Sequence, residues 1–190
     1  LVNIHEMFQQ TFVYVTHDQV EAMTIGERVA LINQGSLQML DTPSNVYRRP
    51  ANIFVATFIG SPSMNIMDVT YGEGKIHFAD GQSFRLPDAW CKQIVSSGVQ
   101  QLKMGMRPED IALMEGKAAE KTEINVAVHY VEDYGNRVGF YFDLAGAEVI
   151  SIMPEYSVTD GQNVRWDVNP ARLHFFNAAT TESIGYPEVL

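Results

Sequence analysis

The sequence predicts two folds in series: an α/β segment over residues 1–60, then a mainly β barrel or sandwich over residues 61–190. Three observations carry that division. The strand-like run Phe12-Val13-Tyr14-Val15 is followed at once by a helix start at Asp18. The helical spacing of apolar residues ends at Gly60-Ser61-Pro62. From Met64 onward the apolar runs become short and closely punctuated, with a hairpin signal at Asp80-Gly81, the pattern of small β domains.

Leu1, Ile4, Met7 and Phe8 recur at helical spacing, so the chain is expected to open inside a helix. No capping residue precedes that helix, which suggests a truncated chain. Phe12 to Val15 is short, β-branched and aromatic, and reads as a strand buried on both faces. Thr16-His17-Asp18 breaks the run. Asp18 with Glu21 fits a helix N-cap and capping box, and Val20, Met23 and Thr24 follow at helical spacing. His17 is thereby expected at the carboxyl end of a strand, just before a helix N-terminus, the edge where open α/β sheets bind ligands. Free N–H groups and partial positive charge favour anions there, and a neutral imidazole can donate one hydrogen bond to a phosphate oxygen. A surface histidine in a strand-to-helix loop has the same local pattern.

Arg28 to Ile32 reads as the next strand, with a turn at Asn33-Gln34-Gly35 and a returning partner from Ser36 to Leu40. Thr42-Pro43 fits an N-cap followed by a first-turn proline, and the helix through Val46 and Tyr47 stops before Pro50. Asn52 to Ile59 reads as a further helix with Phe54, Val55, Phe58 and Ile59 on one face, and Gly60-Ser61-Pro62 marks the domain boundary. Beyond it, Ile76-His77-Phe78 and Phe84-Arg85-Leu86 flank the hairpin signal. Pro87 opens a helix with Trp90, Cys91, Ile94 and Val95 on its apolar face, ended by Gly98. Strands from Leu102 to Met106 and Ile111 to Met114 enclose the turn Arg107-Pro108-Glu109, and Glu115 to Lys121 reads as a polar loop. Further strands run from Ile124 to Val131, Val138 to Leu144, Val149 to Met153, Val164 to Val168 and Leu173 to Phe176. Residues 177–190 lack a periodic pattern and are expected to be a mobile tail.

Composition narrows the function classes. The net charge of −10 argues against a nucleic-acid surface or a polybasic membrane patch, both of which need a basic face. The single cysteine, Cys91, fits helix packing and makes no internal disulfide. His5, His77, His129 and His174 have no metal-like spacing to each other or to Cys91. Tyr130, Tyr134, Phe140, Tyr141 and Phe142 are either a base-stacking platform or a barrel core with a partner surface, and acidity favours the second. Arg107 with Glu109 is either a functional ion pair or a structural turn pair, the second favoured, and Glu132-Asp133 reads as a solvated loop in preference to a catalytic carboxylate pair.

The run Tyr14-Val15-Thr16-His17-Asp18-Gln19-Val20-Glu21-Ala22-Met23 resembles the switch-histidine segment of ABC transporter ATPases, in particular the sugar-importer subclass typified by the maltose importer ATPase. The likeness continues through Arg28-Val29-Ala30-Leu31-Ile32, Gln34-Gly35-Ser36-Leu37-Gln38, Thr42-Pro43, Val46-Tyr47 and Pro50-Ala51-Asn52. It then takes in Phe54 through Pro62, Met64-Asn65 and Gly105-Met106-Arg107-Pro108-Glu109-Asp110.

The resemblance implies the end of a nucleotide-binding domain at 1–60 and an OB-like regulatory (TOBE) domain at 61–190. It implies that His17 is catalytic in the intact parent, contacting the γ-phosphate of ATP and helping to order the attacking water. It further implies ATP and Mg in that parent, a homodimer through the regulatory domain, a transmembrane permease partner, and a cytoplasmic, peripheral place on the inner face of the membrane. No Gly-x-x-x-x-Gly-Lys-[Ser/Thr] loop occurs in the sequence, and the family's signature motif, glutamine loop and magnesium-binding Asp/Glu pair are absent. The chain alone is therefore expected not to hydrolyse ATP and to carry neither metal nor cofactor. The rival expectation is a stand-alone OB-type module for a small anion or oligonucleotide, against which the acidity and the length of the resemblance weigh.

Overall fold

The computed structural model describes residues 10–114, 124–154 and 158–188. The helix expected at Leu1 to Phe8 and the loop expected at Glu115 to Lys121 lie outside the described residues.

Helix α1 (Gln19–Ile25) starts where its cap predicts: one Asp18 carboxylate oxygen accepts from the Val20 and Glu21 N–H groups at 2.7 and 3.1 Å. The reciprocal half of the capping box does not form. The Asp18 N–H goes instead to Thr16 Oγ1 at 2.9 Å, and the Glu21 carboxylate accepts from the Thr16 and Tyr14 hydroxyls. Phe12 to Val15 is not the two-sided buried strand expected of it. Val13 and Val15 are 90% and 89% exposed, and no strand among the described residues pairs with them. A β-branched run becomes a strand only where neighbouring backbone and side chains cover it.

Strands β1 (Val29–Asn33) and β2 (Ser36–Asp41) pair antiparallel, with a bulge between Leu31 and Ile32. Gln34 and Gly35 both take positive φ, 48° and 79°, the tight turn that suits the right-handed twist of a hairpin. Helices α2 (Pro43–Arg48) and α3 (Ile53–Phe58) are capped by the side chains of Thr42 and Asn52. Val29, Leu31, Val46, Val55 and Ile59 form a small core among these elements. The face expected of the last helix is only partly right: Phe58 stays 45% exposed and stacks on Phe54 at 5.4 Å. The described part of residues 1–60 is thus three short helices with one antiparallel hairpin, in place of a parallel α/β layer.

The remainder is mainly β, consistent with an OB-like domain. It runs β3 (Asn65–Gly72), β4 (Lys75–His77), β5 (Ser83–Arg85), α4 (Asp88–Ser97), β6 (Gln101–Met106) and β7 (Ile111–Met114), then β8 (Ile124–Asp133), β9 (Val138–Leu144), β10 (Ala147–Met153), β11 (Asn163–Val168) and β12 (His174–Asn177). One five-stranded sheet has the order β12-β6-β3-β4-β5 and the other β10-β9-β8-β11-β7. Their inner faces share one core. Phe78 and Phe84 present their edges to Trp166 at 6.2 and 5.7 Å, and α4 seats Trp90 against Phe175 at 4.9 Å. Val95 leaves the apolar face assigned to α4 and is 67% exposed, while Cys91 packs half-buried, as expected of a structural thiol.

A buried polar side chain helps to clip the sheets together. Asn65 on β3 donates to the Met106 and Ile150 carbonyls and accepts from the Ile150 N–H at 2.9 Å. At 8% exposure the amide has all of its heavy polar atoms engaged, the condition for burying one without penalty.

The stretch expected to be a mobile tail is docked along most of its length. Ile53 N donates to Thr181 O, Ser183 N to Ala51 O and Ile184 N to Phe175 O, at 3.0, 2.8 and 3.0 Å. Tyr186 then packs its ring edge-on to Trp90. Absence of apolar periodicity is no measure of mobility when main-chain hydrogen bonds and one aromatic anchor do the holding.

Candidate functional site

His17 stands in the loop between the exposed Phe12 to Val15 stretch and α1. Its imidazole is exposed and makes no hydrogen bond among the described residues. The segment around it is ordered by the Thr16–Asp18 and Asp18–Val20 bonds, so the ring projects from a shaped turn at the start of α1. The strand expected to deliver it is not formed.

A second constellation was not foreseen as a site. Arg107, on the turn after β6, is 1% exposed and reaches back into the first segment. Its guanidinium donates to the Ile59 carbonyl at 2.5 Å, the Ala56 carbonyl at 3.3 Å and the Tyr47 carbonyl at 2.7 Å, and sits 3.8 Å from the centre of the Tyr47 ring. The Tyr47 hydroxyl donates to the Glu109 carboxylate. Arg107 and Glu109 thus do not close the turn pair the sequence suggests; each instead binds Tyr47 or its helix. Burial lowers the Arg107 pKa from its ordinary value, and burial with the Glu109 contact pushes the Tyr47 hydroxyl up to about 12.

Beside this clamp lies a cleft of about 170 Å³ lined by Tyr47, Arg48, Arg49, Arg107, Asp110, Arg172, His174 and Tyr186, among others. Burial raises the Asp110 carboxyl above the usual range. Burial, with Arg107 and Arg172 adding to it, pushes His174 down to about 3. His174 Nδ1 is 2.8 Å from the Tyr186 hydroxyl, which burial also raises. The contributing stretches lie far apart in sequence, so no spacing rule finds them. The visible signals were the adjacent Arg48-Arg49 pair and the Arg-Pro-Glu turn.

The aromatic cluster divides as core and surface. Phe140 and Phe142 are fully buried, whereas Tyr130, Tyr134 and Tyr141 face outward. The Tyr134 and Tyr141 hydroxyls converge on Glu132, whose pKa their hydrogen bonds lower. A carboxylate at the centre of the surface part is the wrong charge for a nucleic-acid stacking platform.

Among the described residues no group of three or more His, Cys, Asp or Glu side chains is placed to hold a metal ion, and the sequence has no phosphate-cradling glycine loop.

Within the mainly β part, residues 60–111 match the family model described as the MalK OB fold domain. Along nearly its whole length the chain is a relative of ATP-binding subunits of ABC importers of the sugar-importer type. It is 39% identical to the osmoprotective compounds uptake ATP-binding protein GgtA of Synechocystis sp., over 92% of this chain and 49% of that protein. It is 34% identical to the sulfoquinovosyl glycerol transport ATP-binding protein SmoE of Agrobacterium fabrum, over 95% of this chain and 50% of that protein. It is 37% identical to the sn-glycerol-3-phosphate import ATP-binding protein UgpC of Paracoccus denitrificans, over 95% and 49%. The chain spans about half the length of the curated relatives it matches. No helix among the described residues is long and apolar enough to cross a membrane.

Proposed function

We propose that this chain is the C-terminal part of the ATP-hydrolysing subunit of an ABC importer for a carbohydrate or carbohydrate-derived solute. The observation that supports it most is the likeness to importer ATP-binding proteins over 92–95% of the chain, with the MalK-type OB domain within it. In this reading residues 1–60 close a nucleotide-binding domain and residues 61–190 form its regulatory domain. The whole subunit works on the cytoplasmic face, dimerises in part through the regulatory domain and docks beneath a transmembrane permease.

His17 is the switch histidine of that reading. Its place before the N-terminus of α1, exposed and outside the internal hydrogen bonds of the turn, suits contact with a phosphate oxygen supplied by the rest of the subunit. The phosphate loop and magnesium ligands belong to other parts of the intact subunit, and the chain alone is inactive as an ATPase.

The test is His17→Ala in the intact subunit with its permease. Turnover of ATP falls by roughly two orders of magnitude or more, the scale of a lost proton-handling or water-ordering group, while ATP affinity changes little. Unchanged turnover removes His17 from the mechanism. Magnesium-dependent phosphate release by the 190-residue chain alone would overturn the placement of the remaining machinery elsewhere.

A further inference from the structure

We propose that the cleft between the helical leader and the β domain is a binding site for a phosphate group, free or carried by a small metabolite. The inference stands on the cleft itself and holds whether or not His17 is a switch residue.

The charge distribution is the first ground. The chain has a net charge of −10, yet four of its eight arginines, Arg48, Arg49, Arg107 and Arg172, line this one cavity of about 170 Å³. Asp110 is the acidic residue in the lining, and Arg172 Nε approaches it at 3.9 Å. Four cations against Asp110 in the lining and Glu109 at the Tyr47 hydroxyl leave a net positive field, strengthened where a low-dielectric wall replaces water.

The second ground is how the cations are held. Arg107 forms part of the buried wall and spends both terminal nitrogens on carbonyl groups, so it contributes field and a fixed frame. Arg48, Arg49 and Arg172 are exposed at the rim, and Arg48 and Arg49 make no ion pair among the described residues. Arg49 leans toward the Tyr186 ring at 5.9 Å. Guanidinium groups offer paired N–H donors that match the spacing of two oxygens on a tetrahedral oxyanion, which a halide cannot exploit. His174, 4% exposed, adds a ring nitrogen beyond the one bonded to Tyr186.

The third ground is placement. Tyr47, Arg48 and Arg49 come from the first segment, while Asp110, Arg172, His174 and Tyr186 come from the second. A ligand bound here bridges the two, so its occupancy adds to the stability of their junction.

The experiment is calorimetric titration of the 190-residue chain with sodium phosphate at fixed ionic strength, repeated with glycerol phosphate and glucose 6-phosphate. Saturable binding of at least one is expected, with at least a tenfold loss of affinity in Arg49→Gln/Arg172→Gln. The charge-matched pair Arg85→Gln/Arg137→Gln, outside the cleft, keeps wild-type affinity. Arg48→Gln gives a second, single-residue version of the loss should the double variant show altered circular dichroism. Tighter binding of a monoester assigns the site to a phosphorylated metabolite; equal or tighter binding of inorganic phosphate assigns it to the free ion. Absence of saturable binding by all three, or equal loss in both double variants, overturns the proposal.

Discussion

Arg107 donates to the Tyr47 carbonyl at 2.7 Å while its guanidinium carbon stands 3.8 Å from the centre of the Tyr47 ring, so one side chain grips both the backbone and the face of a single residue 60 positions away. The same guanidinium caps the carbonyls at the end of α3. Those carbonyls are among the orphan acceptors every helix leaves at its C-terminus, and a cation there also suits the helix dipole. A buried charge is tolerable because fixed carbonyls meet both of its terminal nitrogens, although Nε has no hydrogen-bond partner among the described residues.

Arg107→Lys should therefore destabilise the chain by about 2–4 kcal/mol, because a single ammonium cannot reach three carbonyls in different directions and keep the ring contact. Chemical denaturation of the two proteins checks this. Stability within about 0.5 kcal/mol of wild type would show that the carbonyls find other partners.

Gly60 explains why the clamp closes. Its φ is +121°, and a Cβ built there would lie 2.8 Å from an Arg107 terminal nitrogen and 3.3 Å from the Pro62 carbonyl. Gly60→Ala should cost about 2–3 kcal/mol through backbone strain and displacement of the guanidinium. Combined with Arg107→Ala, the loss should be less than the sum of the two, since the group being displaced is gone. A double-mutant cycle measures that coupling, and strict additivity would separate the glycine from the clamp.

His174 makes stability depend on pH. Burial, reinforced by the facing Arg107 and Arg172, holds its folded pKa at about 3, against an ordinary value of 6.5. Between those values the unfolded chain binds a proton that the folded chain refuses. The contribution of this residue is complete above about pH 6.5 and is lost progressively as pH falls toward 3, with a slope approaching about 1.4 kcal/mol per unit. In His174→Gln that part of the acid slope disappears. Carboxylates held low, such as Glu132, contribute equally to both proteins and cancel in the difference. Unfolding free energies at pH 4.5 and 7.5 for both proteins give the answer; parallel profiles would mean that His174 gains its proton without unfolding.

Much of this was legible in the sequence because it was local. Caps at Asp18 and Thr42, the Asn33-Gln34-Gly35 turn and most of the strand-length apolar runs are each written in a few adjacent residues, and these formed. The failures share the opposite property. Phe12 to Val15 has strand-forming side chains, but whether it pairs depends on backbone from elsewhere. The Arg107–Tyr47 grip and the arginine cleft join positions tens of residues apart, with no spacing for a reader to use. His17 was singled out by resemblance, and its local surroundings alone also fit an ordinary surface histidine.

The docked C-terminal stretch yields the last prediction. Gln93 Nε2 donates to the Ile184 carbonyl at 2.6 Å, Ser183 N and Ile184 N are engaged by the carbonyls of Ala51 and Phe175, and Tyr186 closes over Trp90 and His174. These bonds tie the stretch to α4, to β12 and to the residues just before α3. It therefore closes over the same junction that Arg107 braces. Truncation after Asn177 should remove both the hydrogen bonds and the aromatic cover, lowering stability by several kcal/mol, roughly one for each main-chain bond and more for the lost ring burial. Trp90, fully buried in the intact chain, should then report increased exposure as a red shift in its emission. In the intact chain the Ser183 and Ile184 amides should exchange with solvent far more slowly than the Gly135 amide, whose bond is to the side chain of Asp133 at an exposed turn. Equal exchange at these three positions, with an unshifted emission maximum after truncation, would return the stretch to the status of a loose tail.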